Sequence, residues 1–321
     1  MALGYDGPTL TVVVNPAAGR GRARTLLPQL TAGLVDGLPG VNLHVHLTTS
    51  YADARLRCIQ AVEQVRPAVE GHRRDALIVM GGDGMMHLGL NACAGTDVPL
   101  GLVAAGRGND FCRGVGVPND LPGAVRTIVA GHTLRMDLLE ATGRLVDGAE
   151  RRWVGSIVST GFDARVNYRT NHLRWNLGQL SYTWAALAEL SRFEPLPYRL
   201  LIDGEPRNQT AMFVAVGNAG WFGGGMQGCV DADVTDGLLD LTVIHPVSRV
   251  TLLRLLPRMF DGGYVRDPAV ERLRAREVVV DGDGLYGMGD GEELGAVPLR
   301  LRAVPDMLSV FVPESVAIAG R

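Results

Sequence analysis

Apolar and polar positions divide the chain into two parts at about residue 135. In the first part, short apolar runs alternate with stretches of helical periodicity: an apolar run at 10–15 precedes a helical stretch to about 36, and a run at 76–84 precedes another. Strands that alternate with helices predict βαβ units and a parallel sheet. We therefore predict an α/β domain over residues 1–134.

From about residue 135, strand-like runs follow one another with turn residues between them, which is typical of an antiparallel sandwich or barrel. We predict a mostly β domain over 135–312, with helical inserts near 171–193 and 247–262, and a tail, 313–321, that can return to the first domain. No flexible linker marks the boundary, so we expect the domains to pack closely around a cleft. The aromatic and leucine spacing of 173–193 fits either a membrane-facing helix or a core helix packed on the sheet.

The charge pattern excludes several mechanisms. All 31 cationic residues of the 321 are arginines. A chain without lysine has no P-loop lysine, no protein-kinase strand lysine and no Schiff-base lysine. The net charge of −3 argues against nucleic-acid binding. The four scattered cysteines predict reduced thiols in a cytoplasmic protein, and His44 with His46 is a weak metal signal. Without a leader or an apolar span of about 18 residues, we expect only peripheral contact with a membrane.

Three glycine turns follow strands of the predicted parallel sheet: Asn15 to Gly21, Gly81 to Gly84, and Ala105 to Asp110. The carboxyl ends of parallel strands meet at one edge, where open α/β sheets bind ligands. Glycine lets a phosphate approach the backbone, and amides at a helix N-terminus favour an anion. A phosphate site at this edge is therefore predicted, with Asp83 placed to hold a metal ion or to orient a hydroxyl.

The second domain has two acidic, glycine-containing regions. One could bind a hard cation through oxygen ligands, and the other could supply a general base for a hydroxyl. The alternative is that these carboxylates are solvated turn residues. The first region contains Asp231, Asp233, Asp236 and Asp240, and the second contains Asp281, Asp283, Asp290, Glu292 and Glu293.

Taken in order, the landmarks of the chain resemble the diacylglycerol kinase catalytic family, in its soluble bacterial lipid-kinase branch, which is related in fold to the sphingosine and NAD kinases. The resemblance runs from about residue 10 to 313. It implies an NAD-kinase-like α/β domain followed by a β-sandwich, and transfer of the γ-phosphoryl group of ATP to a lipid hydroxyl. The landmarks are VVVNPAAGRGRA, TTSYADA, VMGGDGMMHLGLNA, GLVAAGRGND, STGFDARV, GNAGWFGGGM, DADVTDGLLDLTVI and GDGEELGAVPLRLRAVPDMLSVFVP.

The same resemblance assigns roles by position. Asp83 would be the central carboxylate and Glu292 the general base. Asp236 would hold a structural magnesium ion together with the backbone carbonyls of Asp233 and Leu238. In that family the nucleotide lies in the interdomain cleft. The residues assigned to the nucleotide are Asn15, Pro16, Ala17, Ala18, Gly19, Arg20, Thr48, Gly81, Gly82, Asp83, Gly84, Met85, Met86, His87 and Arg107.

Four departures from the family pattern keep alternatives open. Met85 replaces a threonine, Leu88 a glutamate, Arg107 a threonine of the third turn, and Val230 a proline. The altered turn also fits a kinase of the same fold that acts on a soluble or polyketide-like alcohol, or a non-catalytic binder of nucleotide or lipid. An NAD kinase fits Gly-Gly-Asp-Gly but not the second-domain landmarks. Exposed strand edges in such a fold could pair two copies into a homodimer.

Overall fold

The structure, a computed structural model, describes residues 7–161 and 194–319. The chain forms two compact units, Met1–Leu138 with Pro305–Arg321, and Leu139–Val304. The chain thus enters the second unit within one strand and returns to the first within another. The predicted helical insert at 171–193 lies outside the described residues.

The first unit alternates strands and helices, as its periodicity predicts. Its strands are β1 (Thr9–Val14), β2 (Asn42–Leu47), β3 (Ala76–Gly81), β4 (Leu100–Ala104) and the start of β5 (Thr133–Leu145), joined by the end of β17 (Glu292–Phe311). Its helices are α1 (Arg22–Gly37), α2 (Tyr51–Glu63), α3 (Asp83–Cys93), α4 (Asp110–Gly114), α5 (Leu121–Ala130) and α7 (Glu314–Ala319).

The sheet of the first unit is parallel, in the order β4-β3-β1-β2, and the end of β17 pairs with β4. β1, β3 and β4 are almost wholly buried, which explains their continuous apolar runs, since helices cover both faces of such a sheet. Gly33 and Gly37 bring α1 close to α5, because a Cβ at Gly37 would lie 2.6 Å from Val129 Cγ2. The parallel order places the ends of β1, β3 and β4 side by side.

The second unit is built mainly of strands. They are the end of β5, β6 (Arg152–Val154), β7 (Ile157–Gly161), β8 (Leu196–Ile202), β9 (Glu205–Ala211), β10 (Phe213–Gly217), β11 (Trp221–Phe222), β12 (Met226–Gln227), β13 (Leu239–Ile244), β14 (Val270–Ala275), β15 (Glu277–Asp281), β16 (Tyr286–Gly289) and most of β17. The helix predicted near 247–262 is α6 (Arg249–Arg258), and short 3₁₀ turns occur at Val146–Gly148 and Gly263–Arg266.

These strands form two sets that share β17. One set has the order β14-β13-β10-β7-β16-β17, and in the other β15 lies between β17 and β8, which pairs with β9. A single apolar cluster contains side chains from both sets, among them Val216, Leu241, Leu200 and Leu299. The predicted fold class, an α/β unit with a parallel sheet and a mostly antiparallel β-sandwich unit, is confirmed.

Two further sequence expectations concern thiols and membranes. All four cysteines are buried free thiols, and burial raises the pKa of Cys58 and of Cys229 to about 12. Thiols of this kind are protonated and unreactive at neutral pH. In the part of the chain that the structure describes, no helix is long and apolar enough to cross a membrane.

Candidate functional site

The three glycine turns of the first unit touch one another through their backbones. A Cβ added to Gly106 would lie 2.4 Å from the Cα of Gly82, and one added to Gly19 would lie 2.2 Å from the carbonyl oxygen of Ala105. Only glycine permits such approach. The backbone amides of Ala105 and Gly106 also donate to the carbonyl oxygen of Gly81, at 2.7 and 3.0 Å. The predicted gathering of these turns at one edge of the sheet is therefore present.

Asp83 fastens the second turn to the third. Its carboxylate accepts hydrogen bonds from the backbone amides of Asn109 (2.7 Å), Asp110 (2.6 Å) and Phe111 (3.4 Å). It thus caps the start of α4, where a carboxylate satisfies amides that have no partner within the helix. A Cβ at Gly108 would lie 2.4 Å from Asp83 Oδ2, so glycine is needed there too. These contacts give Asp83 a structural role in the turns.

The same turns expose backbone donors. Among the described residues, six amides of the turns donate no hydrogen bond, and none of the six residues is buried. Converging amides of this kind are suited to phosphate oxygens. They belong to Gly19, Arg20, Gly82, Gly84, Arg107 and Gly108.

Arg20 and Arg107 add charge beside these amides. Both side chains are exposed, and neither guanidinium has a hydrogen-bond or ion-pair partner in the described parts of the chain. Arg20 also has a left-handed backbone with φ of 61°, between Gly19 at 59° and Gly21 at 91°. A left-handed residue other than glycine costs about 1 kcal/mol, and such outliers gather at binding sites. Arg20 is therefore a candidate phosphate-binding residue of the first turn.

Other predicted nucleotide residues line the same edge with different roles. Asn15 Oδ1 accepts from the Ala17 amide at 3.0 Å and shapes the first turn, which also includes Pro16 and Ala18. Thr48 is buried, and its hydroxyl donates to the Val14 carbonyl at 3.1 Å. Through this bond, Thr48 ties the end of β2 to β1.

The helix that follows the second turn buries three of the predicted side chains. Met86 and His87 are buried, and the side-chain amide of Asn91 lies 3.3 Å from His87 Nε2. Met85, in the place of a hydroxyl residue, packs against Gly81, where a Cβ would lie 2.4 Å from Met85 Cγ. These side chains therefore support the turn from the core side.

In the second unit, a tight hairpin turn joins β16 to β17. Asp290 and Gly291 are both left-handed, with φ of 52° and 83°, as in a type I′ turn. The Asp290 carboxylate accepts from the amides of Gly155 and Ser156, each at 2.8 Å. Asn218, which directly follows β10, contacts the same segment. Its side-chain amide donates to the Gly155 carbonyl at 3.2 Å. Asp290 therefore holds in place the hairpin that contains Glu292.

Glu292 is the first residue of β17, directly opposite Gly289. It is half-buried, and within residues 7–161 and 194–319 its carboxylate has no hydrogen-bond or ion-pair partner. The same holds for Glu293, whose side chain points to the other face of the strand because successive strand residues alternate. A carboxylate without a partner on a fixed hairpin is able to accept a proton.

Two carboxylates of the acidic loop in the second unit pair with one arginine. Arg274 pairs with Asp236 and lies across the antiparallel ladder from Asp240, with its Nε 3.4 Å from Asp240 Oδ1. The Asp236 carboxylate also accepts from the Leu238 amide at 2.9 Å, and that of Asp233 accepts from the Thr235 amide at 2.9 Å.

The magnesium ion implied by the family resemblance would lie at this acidic loop. No three His, Cys, Asp or Glu side chains converge on a metal site in the described residues, His44 and His46 included. The site implied by the family resemblance uses one carboxylate, that of Asp236, and in this structure it pairs with Arg274. Magnesium binding by Asp236 with the carbonyls of Asp233 and Leu238 stays a prediction.

Two parts of this arrangement had no sequence signal that we recognised. One is the segment at Gly155 and Ser156, whose Ser156 hydroxyl is buried without a hydrogen-bond partner in the described structure. The other is Arg274, which meets Asp240 only through strand register. The cross-strand position of an arginine is visible only after the pairing of β13 with β14 is known.

Comparison with known proteins gives this geometry a family. Residues 9–141 match the diacylglycerol kinase catalytic domain, and residues 156–312 match the YegS C-terminal NAD kinase beta sandwich-like domain. A diacylglycerol kinase of Mycobacterium tuberculosis is 39% identical over 309 residues, which cover 95% of each chain. The chain belongs to the diacylglycerol kinase family. A Staphylococcus aureus diacylglycerol kinase is 24% identical over 311 residues, covering 95% of this chain and 92% of its own.

Solved structures agree on the fold. A diacylglycerol kinase of Bacillus anthracis superposes with a TM-score of 0.71 at 20% identity, over 98% of this chain and 100% of its own. Yeast NADH kinase superposes with a TM-score of 0.53 at 12% identity, over 98% of this chain and 86% of its own. The family resemblance inferred from the sequence is thus confirmed. Membership of the diacylglycerol kinase family supports a phosphotransferase.

Proposed function

We propose that the protein transfers the γ-phosphoryl group of ATP to a hydroxyl of a lipid such as diacylglycerol or a sphingoid base. The observation that supports this proposal is the set of six amides without a hydrogen bond on three converging turns, beside the exposed guanidiniums of Arg20 and Arg107. The name of the M. tuberculosis relative, a diacylglycerol kinase, supports the acceptor class.

The first unit would bind the phosphates of ATP. Amides held in place by glycine packing need no reorganisation when charge develops on the phosphoryl oxygens, and most catalysis of phosphoryl transfer is positioning and charge neutralisation of this kind. Arginine forms bidentate bonds to phosphate, so the absence of lysine is no obstacle. Asp83 would act as a positioning residue, because its carboxylate holds the second and third turns together.

The second unit would supply the base. As the lipid hydroxyl oxygen bonds to the γ-phosphorus, its proton passes to the Glu292 carboxylate. The bond from the γ-phosphorus to the bridging oxygen breaks, and ADP leaves with the electron pair. Asp290 would position Glu292 by fixing the hairpin to Gly155 and Ser156. Among the acidic residues predicted in this unit, Asp236 and Asp290 already have partners, whereas Glu292 and Glu293 have none in the described chain. The family resemblance favours Glu292 of the two.

Phosphate transfer from labelled ATP tests the proposal. The acceptors are diacylglycerol and a sphingoid base in detergent micelles, beside a panel of water-soluble alcohols. We expect transfer to a lipid, and a fall of about 100-fold or more in kcat for Glu292→Gln, since general-base catalysis contributes about that much. Glu293→Gln is the matched control, because it makes the same change one residue along the strand, on the opposite face.

Each other outcome overturns one part of the proposal. Equal activity of the Glu292→Gln and wild-type proteins would remove Glu292 as the base. Transfer only to water-soluble alcohols would replace the lipid acceptor, which is the reading that the altered turn at Arg107 leaves open. Binding of ATP with no transfer to any acceptor would make the protein a binder, and formation of NADP from NAD would make it an NAD kinase.

A further inference from the structure

A cavity of about 520 Å³ lies in the first unit, away from the glycine turns. Its walls include residues that directly precede β3 and β4, namely Arg73, Arg74, Asp97 and Pro99. It therefore opens at the amino ends of these strands, whereas the glycine turns follow their carboxyl ends. β4 has five residues, so the two edges are separated by about 13 Å of strand.

The cavity carries an excess of positive charge. Arg73, Arg74 and Arg135 contribute three guanidiniums to its wall, and Asp97 contributes the one carboxylate. The Asp97 side chain is 82% exposed and lies 3.5 Å from Arg135, so that pair is weak. This local excess stands out in a chain whose net charge is −3.

Two of the arginines are held in place by neutral carbonyl groups. Arg73 donates to the carbonyls of Val129, at 2.7 Å, and of Ile128, in the last turn of α5. Arg135 donates to the Asp306 carbonyl at 2.5 Å and to the Thr96 carbonyl at 3.3 Å. Carbonyl dipoles orient a guanidinium without cancelling its formal charge. Arg135 is therefore oriented at the cavity and keeps its charge, apart from its weak pair with Asp97.

The third arginine has donors to spare. Arg74 makes a single side-chain hydrogen bond in the described chain, from Nη1 to the Asp97 carbonyl at 3.3 Å, and it is in no ion pair there. A guanidinium carries five N–H donors. The buried Phe311 ring also borders the cavity and lies 5.4 Å from Arg73 Cζ.

We propose that this cavity binds the phosphate group of a soluble phosphorylated small molecule. Arginine recognises phosphate through paired, charge-assisted hydrogen bonds, and the cavity has the size of typical small-molecule sites. The phosphate lies against Arg74 and Arg135. The site is separate from the glycine turns and does not depend on the proposed kinase reaction.

Calorimetric titration of the full-length protein with inorganic pyrophosphate tests the site. The starting protein carries Arg20→Gln and Arg107→Gln, which weaken binding at the glycine turns. We expect pyrophosphate still to bind this protein, and Arg74→Glu added to it to weaken Kd by about tenfold or more, because each charged hydrogen bond lost is worth at least that factor. Arg126→Glu, an exposed arginine of α5 outside the cavity lining, makes the same change in net charge and serves as control.

Three results would overturn the proposal. The first is absence of pyrophosphate binding in the Arg20→Gln, Arg107→Gln protein, and the second is an equal loss with Arg126→Glu and Arg74→Glu. The third is Arg74-dependent binding to phosphatidylglycerol vesicles without binding of pyrophosphate, which would assign the arginines to a lipid surface. Arg74→Gln, a milder change, is titrated in parallel, and thermal melting of each variant confirms that it folds.

Discussion

The glycine turns of the first unit and the acidic hairpin of the second present ligand-facing groups in opposite ways. In the turns, the carboxylate of Asp83 is used within the protein, and the groups left for a ligand are backbone amides and exposed arginines. In the hairpin, Asp290 takes the backbone amides, and the group left over is the Glu292 carboxylate. An aspartate fixes the backbone in both places, and a neighbouring group is left for chemistry.

The contrast separates carboxylates that position from carboxylates that react. Hydrogen bonds from two or three backbone amides stabilise the charged form of a carboxylate, which makes it a weaker base for a substrate proton than a carboxylate without a partner. The unit with free donors is suited to an anion, and the unit with a free acceptor is suited to a hydroxyl. The predictions below test this division, from the largest expected effect to the smallest.

Asp83→Ala should have the largest effect. It leaves three amides at the start of α4 without their acceptor, so we expect a loss of about 3 kcal/mol in the free energy of unfolding, together with loss of ATP binding. Thermal melting and calorimetric titration with ATP measure the two effects. Asp36→Ala, an exposed aspartate of α1, is the control. Unchanged stability would show that the turns do not need Asp83.

Asp290→Ala should lower the free energy of unfolding by about 2 kcal/mol, because two charge-assisted hydrogen bonds to Gly155 and Ser156 are lost. Asp290→Asn should cost less, since asparagine tolerates the left-handed backbone and keeps one acceptor oxygen. Urea unfolding measures both variants, and Asp283→Ala, whose side chain is 89% exposed, is the control. If Asp290→Ala lowers kcat as much as Glu292→Gln does and leaves the free energy of unfolding unchanged, Asp290 takes part in the reaction itself.

Arg20→Ala tests the donors of the first unit. We expect KM for ATP to rise about tenfold, which corresponds to the loss of one charged hydrogen bond, with a smaller change in stability. Arg24→Ala, an exposed arginine one turn into α1, controls for the general loss of charge. If the two variants behave alike, the phosphate-binding charge comes from elsewhere, with Arg107 the next residue to test.

Whether a feature could be predicted from the sequence depends on how far apart in the chain the interacting residues are. Strands and helices with clear periodicity were predicted, because the pattern that specifies them is local. α4 was not, since the five residues Asp110–Gly114 are too few for a periodic signal. The gathering of the three glycine turns was also predicted, because strand order in a parallel sheet determines it.

Hydrogen-bond and ion-pair partners that lie far apart in the chain could not be predicted from local patterns. The sequence allowed Asp83 to bind a metal ion or to orient a hydroxyl, while its partners in the structure lie 26 to 28 residues further on. The pairing of Arg274 with Asp240 depends on the register of two antiparallel strands. Register is set by packing across the whole sheet, and a one-residue slip would move Arg274 to the other face.

The smallest effect should come from Asp240, the buried carboxylate opposite Arg274. Burial raises its pKa to about 6, above the ordinary value of about 3.9. The folded state then binds the proton more tightly than the unfolded state, so this group lowers stability as pH rises from about 4 to about 6, and its full cost remains above that range. Asp240→Asn should remove this dependence. We expect wild type and variant to diverge by about 3 °C in melting temperature between pH 5 and pH 7, while the exposed control Asp36→Asn leaves the slope unchanged. A parallel pH dependence in wild type and Asp240→Asn would mean that Arg274 already holds the carboxylate fully charged.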